Sequence, residues 1–483
     1  MIAIPSVDLA IVAPLLVVTA TALIVMLIDL VLPAESRAWL AYLSLFGLLG
    51  AFVVTLQLWG RQASTLNGMA LLDNYGVAFT LLFLLVAIVT ILLSVTYITE
   101  RGLERGEFYA LVLFALLGMM VMATAGDLIV VFLGIELLSL PLYVLAGFAR
   151  PALDSEESAL KYFLLGAFAS GFLLYGIVLI FGATGSTNLA QIATILGRGS
   201  QASVMLYAGV GLLLVGLGFK VSAVPFHQWT PDVYEGAPTA VTAFMIAGTK
   251  AAGFAVLLRI LLIAFPQVRA VWLPAIAVLA VITMTVGNIT AIVQENIKRM
   301  LAYSSIAHAG YILVAIAAGG DTGSRAVIFY LVVYALMNLG AFGVLIAAGR
   351  GGSERVTLED MAGLARERPL LAAVMSLFML ALAGFPPTAG FVGKLLIFQA
   401  AVQGGLTWLA LIAVLNSVVS VYYYARVIVF MYMREPEGER RLAIGGGWMV
   451  GMALAVCTLG ILLLGILPAA AIQATQSALL AAL

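Results

Sequence analysis

The chain alternates long apolar runs with short polar stretches along almost its whole length. A helix needs about 20 predominantly apolar residues to cross a bilayer. About fourteen runs reach that length, at 9–32, 38–59, 75–98, 108–125, 127–148, 161–183, 203–224, 238–264, 270–294, 299–318, 325–348, 370–402, 406–432 and 446–468. The pattern predicts an all-α integral membrane protein with about 14 transmembrane helices.

Two of these runs are interrupted by proline. The seventh run ends against Pro225, and the twelfth is cut by "GFPPTAG" at 384–390, which contains Pro386 and Pro387. Proline removes a backbone donor and breaks a helix. Irregular backbone is tolerated at membrane depth only where it is buried in protein or lines a water-filled cavity. We therefore predict that helices 7 and 12 are broken, and that the breaks belong to a functional site.

The sequence also contains a weak internal repeat. "YFLLGAFASGFLLYGIVLIFG" (162–182) resembles "IFYLVVYALMNLGAFGVLIAAG" (328–349), and "GAPTA" (236–240) corresponds to "GFPPTAG". The displacement is five helices, an odd number, so the two copies would be inverted in the membrane, as in many transporters. The predicted divisions are an N-terminal part (1–107), a first repeat (108–264), a second repeat (265–433) and a C-terminal helix with its tail (434–483).

Composition narrows the class of protein. The 483 residues are 64% hydrophobic and only 10% charged, and 23 basic residues balance 23 acidic ones. This balance gives no indication of nucleic-acid binding or of a polybasic lipid anchor. The single cysteine, Cys457, excludes an intrachain disulfide and a thiolate metal site.

Loop charges predict the orientation. Positively charged loops lie on the cytoplasmic side. With both termini outside, about four loop arginines lie outside and about fourteen basic residues lie inside. The outer ones are Arg61, Arg198, Arg269 and Arg325, and the inner ones are Arg37, Arg101, Arg105, Arg150, Lys161, Lys298, Arg299, Arg350, Arg355, Arg366, Arg368, Arg434, Arg440 and Arg441. This excess inside predicts that both termini lie outside.

No basic residue precedes Arg37, so we expect the first helix to be retained and not cleaved as a signal peptide.

Five basic residues lie inside the predicted helices. Arg259 and Arg426 lie near helix ends, where a long side chain can reach the interface. The other three, Lys220, Lys250 and Lys394, are deeper. The chain has five lysines and eighteen arginines, so lysine is concentrated inside the membrane. A buried lysine can release its proton whereas arginine cannot, and the lysines therefore suit a proton path.

Lys250 lies twelve residues after Pro238, about 18 Å along a helix and hence near the bilayer centre. Two further ionisable residues, Glu136 and His308, complete the candidate site. Glu136 is the one deep acid. A structural salt bridge between Glu136 and Lys220 is the alternative reading, although one acid cannot neutralise three lysines. His308 could relay protons, or it could be a hydrogen-bonded core histidine.

Several long stretches resemble the antiporter-like membrane subunits of respiratory complex I, the proton-translocating NADH:quinone oxidoreductase, and above all its subunit N. The resemblance spans the fifth to the thirteenth helix, and "PFHQWTPDVYEGAPT" is its most specific part. It is carried by "GIELLSLPLYVL" (134–145), "GFKVSAVPFHQWTPDVYEGAPT" (218–239), "GTKAAGF" (248–254), "NIKRMLAYSSIAHAGY" (296–311), "LAGFPPTAGFVGK" (382–394) and "VYYYAR" (421–426).

The resemblance implies a fold and a site. The fold is the antiporter-like fold of fourteen helices, with two inverted five-helix repeats and broken helices 7 and 12. The proton-translocating residues of the family match Glu136, Lys220, Lys250 and Lys394. Lys394 argues against a sister subunit that has glutamate there, and the chain end soon after helix 14 argues against one with a long lateral helix. Ala240, where the family often has proline, is a small departure.

The resemblance also implies a setting in the cell. We expect a multi-pass protein of the bacterial inner membrane, with both termini on the periplasmic side. This chain should hold no cofactor, while partner subunits hold NADH, FMN, iron–sulfur clusters and quinone. The expected partners are the other membrane subunits of complex I and, through them, its peripheral redox arm.

Three alternatives remain. An Mrp-type sodium/proton antiporter subunit shares the fold and the charges. A ferredoxin-dependent plastoquinone oxidoreductase has an equivalent subunit. A non-transporting scaffold has no need for four matched charges in the membrane, so the sequence disfavours it.

Overall fold

The computed structural model describes residues 7–33, 36–150, 152–198, 203–349, 354–435 and 447–479. Within these ranges, each of the fourteen predicted apolar runs is helical, and the predicted α-helical membrane architecture is confirmed. The helices are α1 (Leu9–Asp29), α2 (Ala38–Leu56), α3 (Asn74–Glu100), α4 (Glu107–Thr124), α5 (Leu128–Ala146), α6 (Leu153–Thr184), α7 (Val204–Val221), α8 (Thr239–Ala264), α9 (Arg269–Ile292), α10 (Ile297–Ala318), α11 (Gly320–Ala348), α12a (Pro369–Ala383), α12b (Ala389–Gln403), α13 (Thr407–Met433) and α14 (Trp448–Ile466).

Both predicted breaks are present. Helix α7 ends at Val221, and Ser222 takes a left-handed conformation with φ of 61°. The chain then turns through Pro225 into a short helix, Trp229–Gly236, before α8 begins. Helix 12 is split at Gly384, whose φ is +90°. Each break leaves helix-terminal carbonyl groups at membrane depth, where they can accept hydrogen bonds from side chains.

Burial separates the helices into a core and a shell. Helices α8, α10 and α11 are almost wholly buried, whereas α1, α2, α6, α13 and α14 expose most of their surface. The exposed surface is itself apolar, as expected for contact with lipid or with other membrane subunits. The buried lysines Lys220, Lys250 and Lys394 are only 3%, 1% and 3% exposed, so they face this protein core.

Helix α8 departs from regular α-helical geometry in a way that the apolar pattern does not predict. It is π-helical at Met245–Thr249 and again at Ile260–Ala264. Such π-helical insertions occur mostly at functional sites. The first one ends at Thr249, and regular α-helix resumes with Lys250.

A few other elements were not predicted. Strands β1 (Ala63–Thr65) and β2 (Ala70–Leu72) form an antiparallel hairpin, a small exception to the all-α prediction. Short helices also occur at Leu189–Gly197 and Ala469–Ser477. Helix α6 begins eight residues before the predicted run, because its first turns are polar and counting apolar residues misses them. The predicted loop charges Arg350, Arg440 and Arg441 lie outside the described residues.

Candidate functional site

Lys220 reaches from the end of α7 to α5. Its Nζ donates a hydrogen bond to Ser139 Oγ at 2.5 Å. The rings of Tyr143 and Tyr162 surround the ammonium group, with centroids 6.0 and 5.6 Å from Nζ. Aromatic faces attract a cation that has left water. Lys220 is therefore held by a hydroxyl group and by aromatic rings.

Glu136 lies on α5 one turn before Ser139. It is half-buried and accepts a hydrogen bond from Ser170 Oγ of α6. Lys220 belongs to none of the ion pairs formed within the described ranges. The alternative of a direct Glu136–Lys220 salt bridge is therefore wrong in this conformation. Each of the two side chains instead binds a serine, Lys220 that at 139 and Glu136 that at 170.

Lys250 lies at the centre of the protein. Its Nζ donates to the Ser305 backbone carbonyl at 2.8 Å and to Ser305 Oγ at 2.7 Å, both on α10. Gly253, one turn further along α8, lets this helix approach α7, because a Cβ there would lie only 2.9 Å from Val221 Cγ1. The first two lysines are thus on closely packed helices.

His308 lies on the same face of α10, one turn after Ser305. Its Nδ1 is 2.6 Å from the hydroxyl of Tyr330, and its Nε2 is 2.9 Å from the hydroxyl of Tyr424. Tyr424 in turn shares a short hydrogen bond with Ser304. His308 is therefore a hydrogen-bonded core residue. It also lies between two hydroxyl groups, which is compatible with the alternative prediction of a proton relay.

Lys394 lies just after the break in helix 12. Its Nζ donates to the Ala383 carbonyl, which ends α12a, and to Ser417 Oγ of α13, each at 2.8 Å. The Tyr311 ring of α10 lies 5.1 Å from Nζ. The broken helix thus supplies a carbonyl that a continuous helix would use internally.

These side chains form one buried polar row across the molecule. It runs from Glu136 on α5 through Lys220, Lys250 and His308 to Lys394 on α12b. Each lysine is held by neutral oxygen atoms, and none of the three joins an ion pair in the described part of the chain. A buried ammonium without a counter-charge is costly to keep charged. The arrangement therefore places several groups that can bind a proton in the core of the protein.

A charged cluster at the start of α8 was not predicted from the sequence. Glu354, in the loop before helix 12, accepts hydrogen bonds from the side chain of Lys298 at 3.0 Å and from the backbone N–H of Thr239 at 3.2 Å. It also accepts from Tyr97 and, at 3.0 Å, from Arg101. One carboxylate thereby joins the ends of α3, α8 and α10. Its partners lie 56 to 257 residues away, so no local pattern could reveal it.

Glu354 should make stability depend on acid pH. Burial raises its pKa, but the Lys298 and Arg101 charges outweigh burial and lower the pKa from 4.5 to about 2. A lowered folded-state pKa stabilises the fold above pH 4.5, and this contribution is lost as the pH falls towards 2. We expect Glu354→Gln to lower the unfolding temperature near neutral pH, and the difference from wild type to shrink below pH 4.5.

Thermal unfolding of the purified protein in detergent across this pH range tests the prediction. Glu359→Gln is the matched control, because Glu359 is an exposed carboxylate of the same loop. It should leave both the unfolding temperature and its pH dependence close to wild type. A difference between Glu354→Gln and wild type that stays constant down to the lowest pH would contradict this assignment.

The expectation that Arg259 reaches the membrane interface is wrong. Its side chain is 1% exposed and binds the Asp73 carboxylate through two hydrogen bonds of 2.8 and 2.9 Å. It also donates to the Ala123 carbonyl at 2.9 Å, and its guanidinium lies 4.8 Å from the Tyr75 ring. The Arg259–Asp73 pair fastens the end of α8 to α3 and α4.

Arg426, the other basic residue near a helix end, donates to the carbonyls of Ile292 and Gln294 at the end of α9.

The described residues give no indication of a metal site. Among the described residues there is no group of three or more His, Cys, Asp or Glu side chains that could hold a metal ion.

The chain is similar to known membrane proteins. Residues 125–420 match the family described as "NADH:quinone oxidoreductase/Mrp antiporter, TM". A protein of Trichlorobacter lovleyi named NADH-quinone oxidoreductase subunit N is 48% identical, covering 98% of this chain and 97% of that protein. One of the same name from Chloroflexus aggregans is also 48% identical, covering 96% of each.

Solved structures show the same fold. A chain of respiratory complex I from Thermus thermophilus, with bound aureothin, is 39% identical with a TM-score of 0.81, covering 96% of this chain and 99% of that one. A chain of the Mrp complex from Dietzia sp. DQ12-45-1b has a TM-score of 0.85 but only 23% identity, covering 98% and 97%. The second likeness extends to the fold alone.

Proposed function

The chain belongs to the family of membrane subunits shared by NADH:quinone oxidoreductases and Mrp antiporters, and we propose that it moves protons across the membrane through its buried lysine row. It does so as the subunit N of an NADH–quinone oxidoreductase, which is the name of the relatives at 48% identity. Quinone reduction in partner subunits supplies the energy. The main support is that Lys220, Lys250 and Lys394 are buried and that none of them forms an ion pair within the described residues.

Proton transfer begins with the pair Glu136 and Lys220. A carboxylate near an ammonium favours the charged form of the lysine, and its withdrawal favours release of the proton. Ser139 donates to the Ile135 carbonyl and accepts from Lys220, so it can hold the lysine while Glu136 moves. Lys250 is the next group able to accept the proton, and Lys394 passes it towards the outer surface.

The gaps between these groups are longer than one hydrogen bond. Buried hydroxyl groups lie beside the lysines, and that of Tyr162 has no hydrogen-bond partner among the described residues. Buried polar groups that lack a protein partner are generally satisfied by ordered water. Internal water at these hydroxyls would connect the lysines, and His308 with its two tyrosines would extend the connection to Lys394.

The proposed organisation assigns one broken helix to each inverted repeat, helices 4–8 (108–264) and 9–13 (265–433). Lys220 lies just before the first break and Lys394 just after the second. Lys250 then links the two repeats, because it lies on α8 and binds Ser305 on α10. This division supports a path that crosses from one half of the protein to the other.

Partners are expected on the face formed by α5 and α6. This face exposes the apolar side chains Leu133, Leu137 and Leu140 around the half-buried Glu136, and Phe168 and Phe172 beside them. A carboxylate on a lipid-facing surface is unfavourable. A neighbouring membrane subunit would shield it and could also move it. NADH, FMN, iron–sulfur clusters and quinone belong to partner subunits of the complex and not to this chain.

Purification in mild detergent tests the assignment. We expect mass spectrometry to find other membrane subunits and a peripheral redox arm with the chain, and the assembly to reduce quinone with NADH. Activity with reduced ferredoxin but not NADH would favour the plastoquinone oxidoreductase relative. Proton transport that depends on sodium would favour the Mrp-type antiporter. Recovery of the chain as a functional monomer would contradict all three.

Both termini are proposed to face the periplasm. The inner-loop residues Arg101, Lys298 and Arg299 lie on one side of the protein, where they contact Glu354, Asp232 and Glu235. Single cysteines at positions 3 and 480, which lie outside the described residues, should react with an impermeant thiol reagent on intact cells. A cysteine at position 355 should not react, and Cys457 is buried. The reverse pattern would overturn this topology.

A further inference from the structure

An apolar groove of about 660 Å³ lies between α11, α12a and α14, far from the lysine row. Its walls are the side chains Leu371, Val374, Leu454 and Leu459 together with the backbone at Gly451, and Arg368 lies at one end. Most of the wall belongs to helix surfaces that face outwards. The groove therefore opens to the hydrocarbon region of the membrane.

Arg368 is only partly satisfied by the protein. Its Nη1 donates to the Ala347 carbonyl at 2.8 Å, while its Nη2 is buried and has no hydrogen-bond partner among the described residues. No ion pair in the described ranges includes it. Arg366, two residues earlier, is exposed and pairs with Glu435 at 3.0 Å. Within the described ranges, the positive charge of Arg368 is therefore not paired with an acid, whereas that of Arg366 is.

The position of the arginine specifies the kind of ligand. Arg368 directly precedes α12a, so it lies at the end of a membrane-spanning segment, on the side that carries the arginine-rich loops. The groove follows α14 from Val450 to Leu459, a rise of about 14 Å towards the membrane centre. A cation at the interface, continued by an apolar channel into the membrane, fits a molecule with an anionic head and a hydrocarbon tail.

We propose that this groove binds an anionic phospholipid, with its phosphate beside Arg368 and one acyl chain between α12a and α14. The phosphate supplies the acceptor that the guanidinium lacks, since arginine binds phosphate through paired N–H groups. The chain fills a space bounded by three helices, and it thereby joins α14 to the second half of the protein.

Photo-crosslinking in the assembled complex tests the site. The complex is placed in phosphatidylcholine nanodiscs with a trace of phosphatidylglycerol that carries a diazirine in one acyl chain. We expect labelled peptides to map to residues 450–459. Arg368→Gln should reduce labelling about fivefold, the effect of losing one basic contact to an anionic headgroup. Arg366→Gln, which removes the same charge from the exposed neighbouring site, should change it little.

A second variant tests the tail independently of the charge. Gly451→Leu fills the groove, because a Cβ at Gly451 has open space around it, and it should abolish labelling while Arg368 remains. Gly211→Leu, at another glycine with open space, is the matched control and should label normally. Equal labelling by a phosphatidylcholine probe, unchanged labelling in Arg368→Gln and Gly451→Leu, or an unlabelled α14 because a neighbouring subunit covers it would each overturn the proposal.

Discussion

Replacing Arg259 by methionine should destabilise the folded protein by about 3–5 kcal/mol, because removing one partner of a buried ion pair leaves an uncompensated charge. The Arg259 side chain is 1% exposed, and Asp73 would lose both of the hydrogen bonds that it accepts from the guanidinium group. Measurement of the unfolding temperature in detergent, and of the amount of protein retained in membranes, checks this. We expect a large loss in both.

The double variant Asp73→Asn/Arg259→Met provides the control. It removes both charges, so it should be clearly more stable than Arg259→Met alone. Arg198→Ala, at an exposed surface position, should change stability by no more than about 0.5 kcal/mol. If Arg259→Met were as stable as Arg198→Ala, the ion pair would not fasten α8 to α3 and α4.

Replacing Lys250 by arginine should impair proton translocation as severely as replacing it by methionine. Arginine keeps its proton in proteins, so the variant retains the positive charge but cannot pass a proton to the next group. Proton uptake by inverted membrane vesicles, followed with a pH-sensitive dye after NADH addition, measures the effect. The rate of quinone reduction is recorded in the same vesicles.

Lys161→Arg is the matched control for this substitution. Lys161 is 40% exposed in its side chain and pairs with Glu157 and Asp232 near the helix end, where only its charge matters. The variant should translocate protons normally. Wild-type uptake in Lys250→Arg would contradict the proposed role, because it would mean that Lys250 contributes a fixed positive charge.

The apolar pattern predicted the architecture well because membrane helices are specified locally. The lengths of the apolar runs predicted the helices, and Pro225, Pro386 and Pro387 predicted the breaks in helices 7 and 12. Burial of Lys220, Lys250 and Lys394 was also predicted, since a lysine inside an apolar run must face protein or water. These predictions need no knowledge of which helices are neighbours.

Contacts between distant segments were not predictable in the same way. Arg259 and Asp73 are 186 residues apart, and either one alone looks like a residue at a helix end that reaches the interface. Ser139, which takes the place of Glu136 beside Lys220, is an ordinary polar residue in the sequence. The π-helical turn before Lys250 depends on packing of α8 among its neighbours, so it left no recognisable signal.

If the buried lysines carry protons, the number of protons taken up per electron transferred to quinone depends on each of them. In inverted vesicles this ratio should fall strongly for Lys250→Ala, and also for Lys220→Ala and Lys394→Ala, while Arg198→Ala keeps the wild-type ratio. A wild-type ratio in Lys250→Ala would mean that the lysine row is structural, and it would contradict this account.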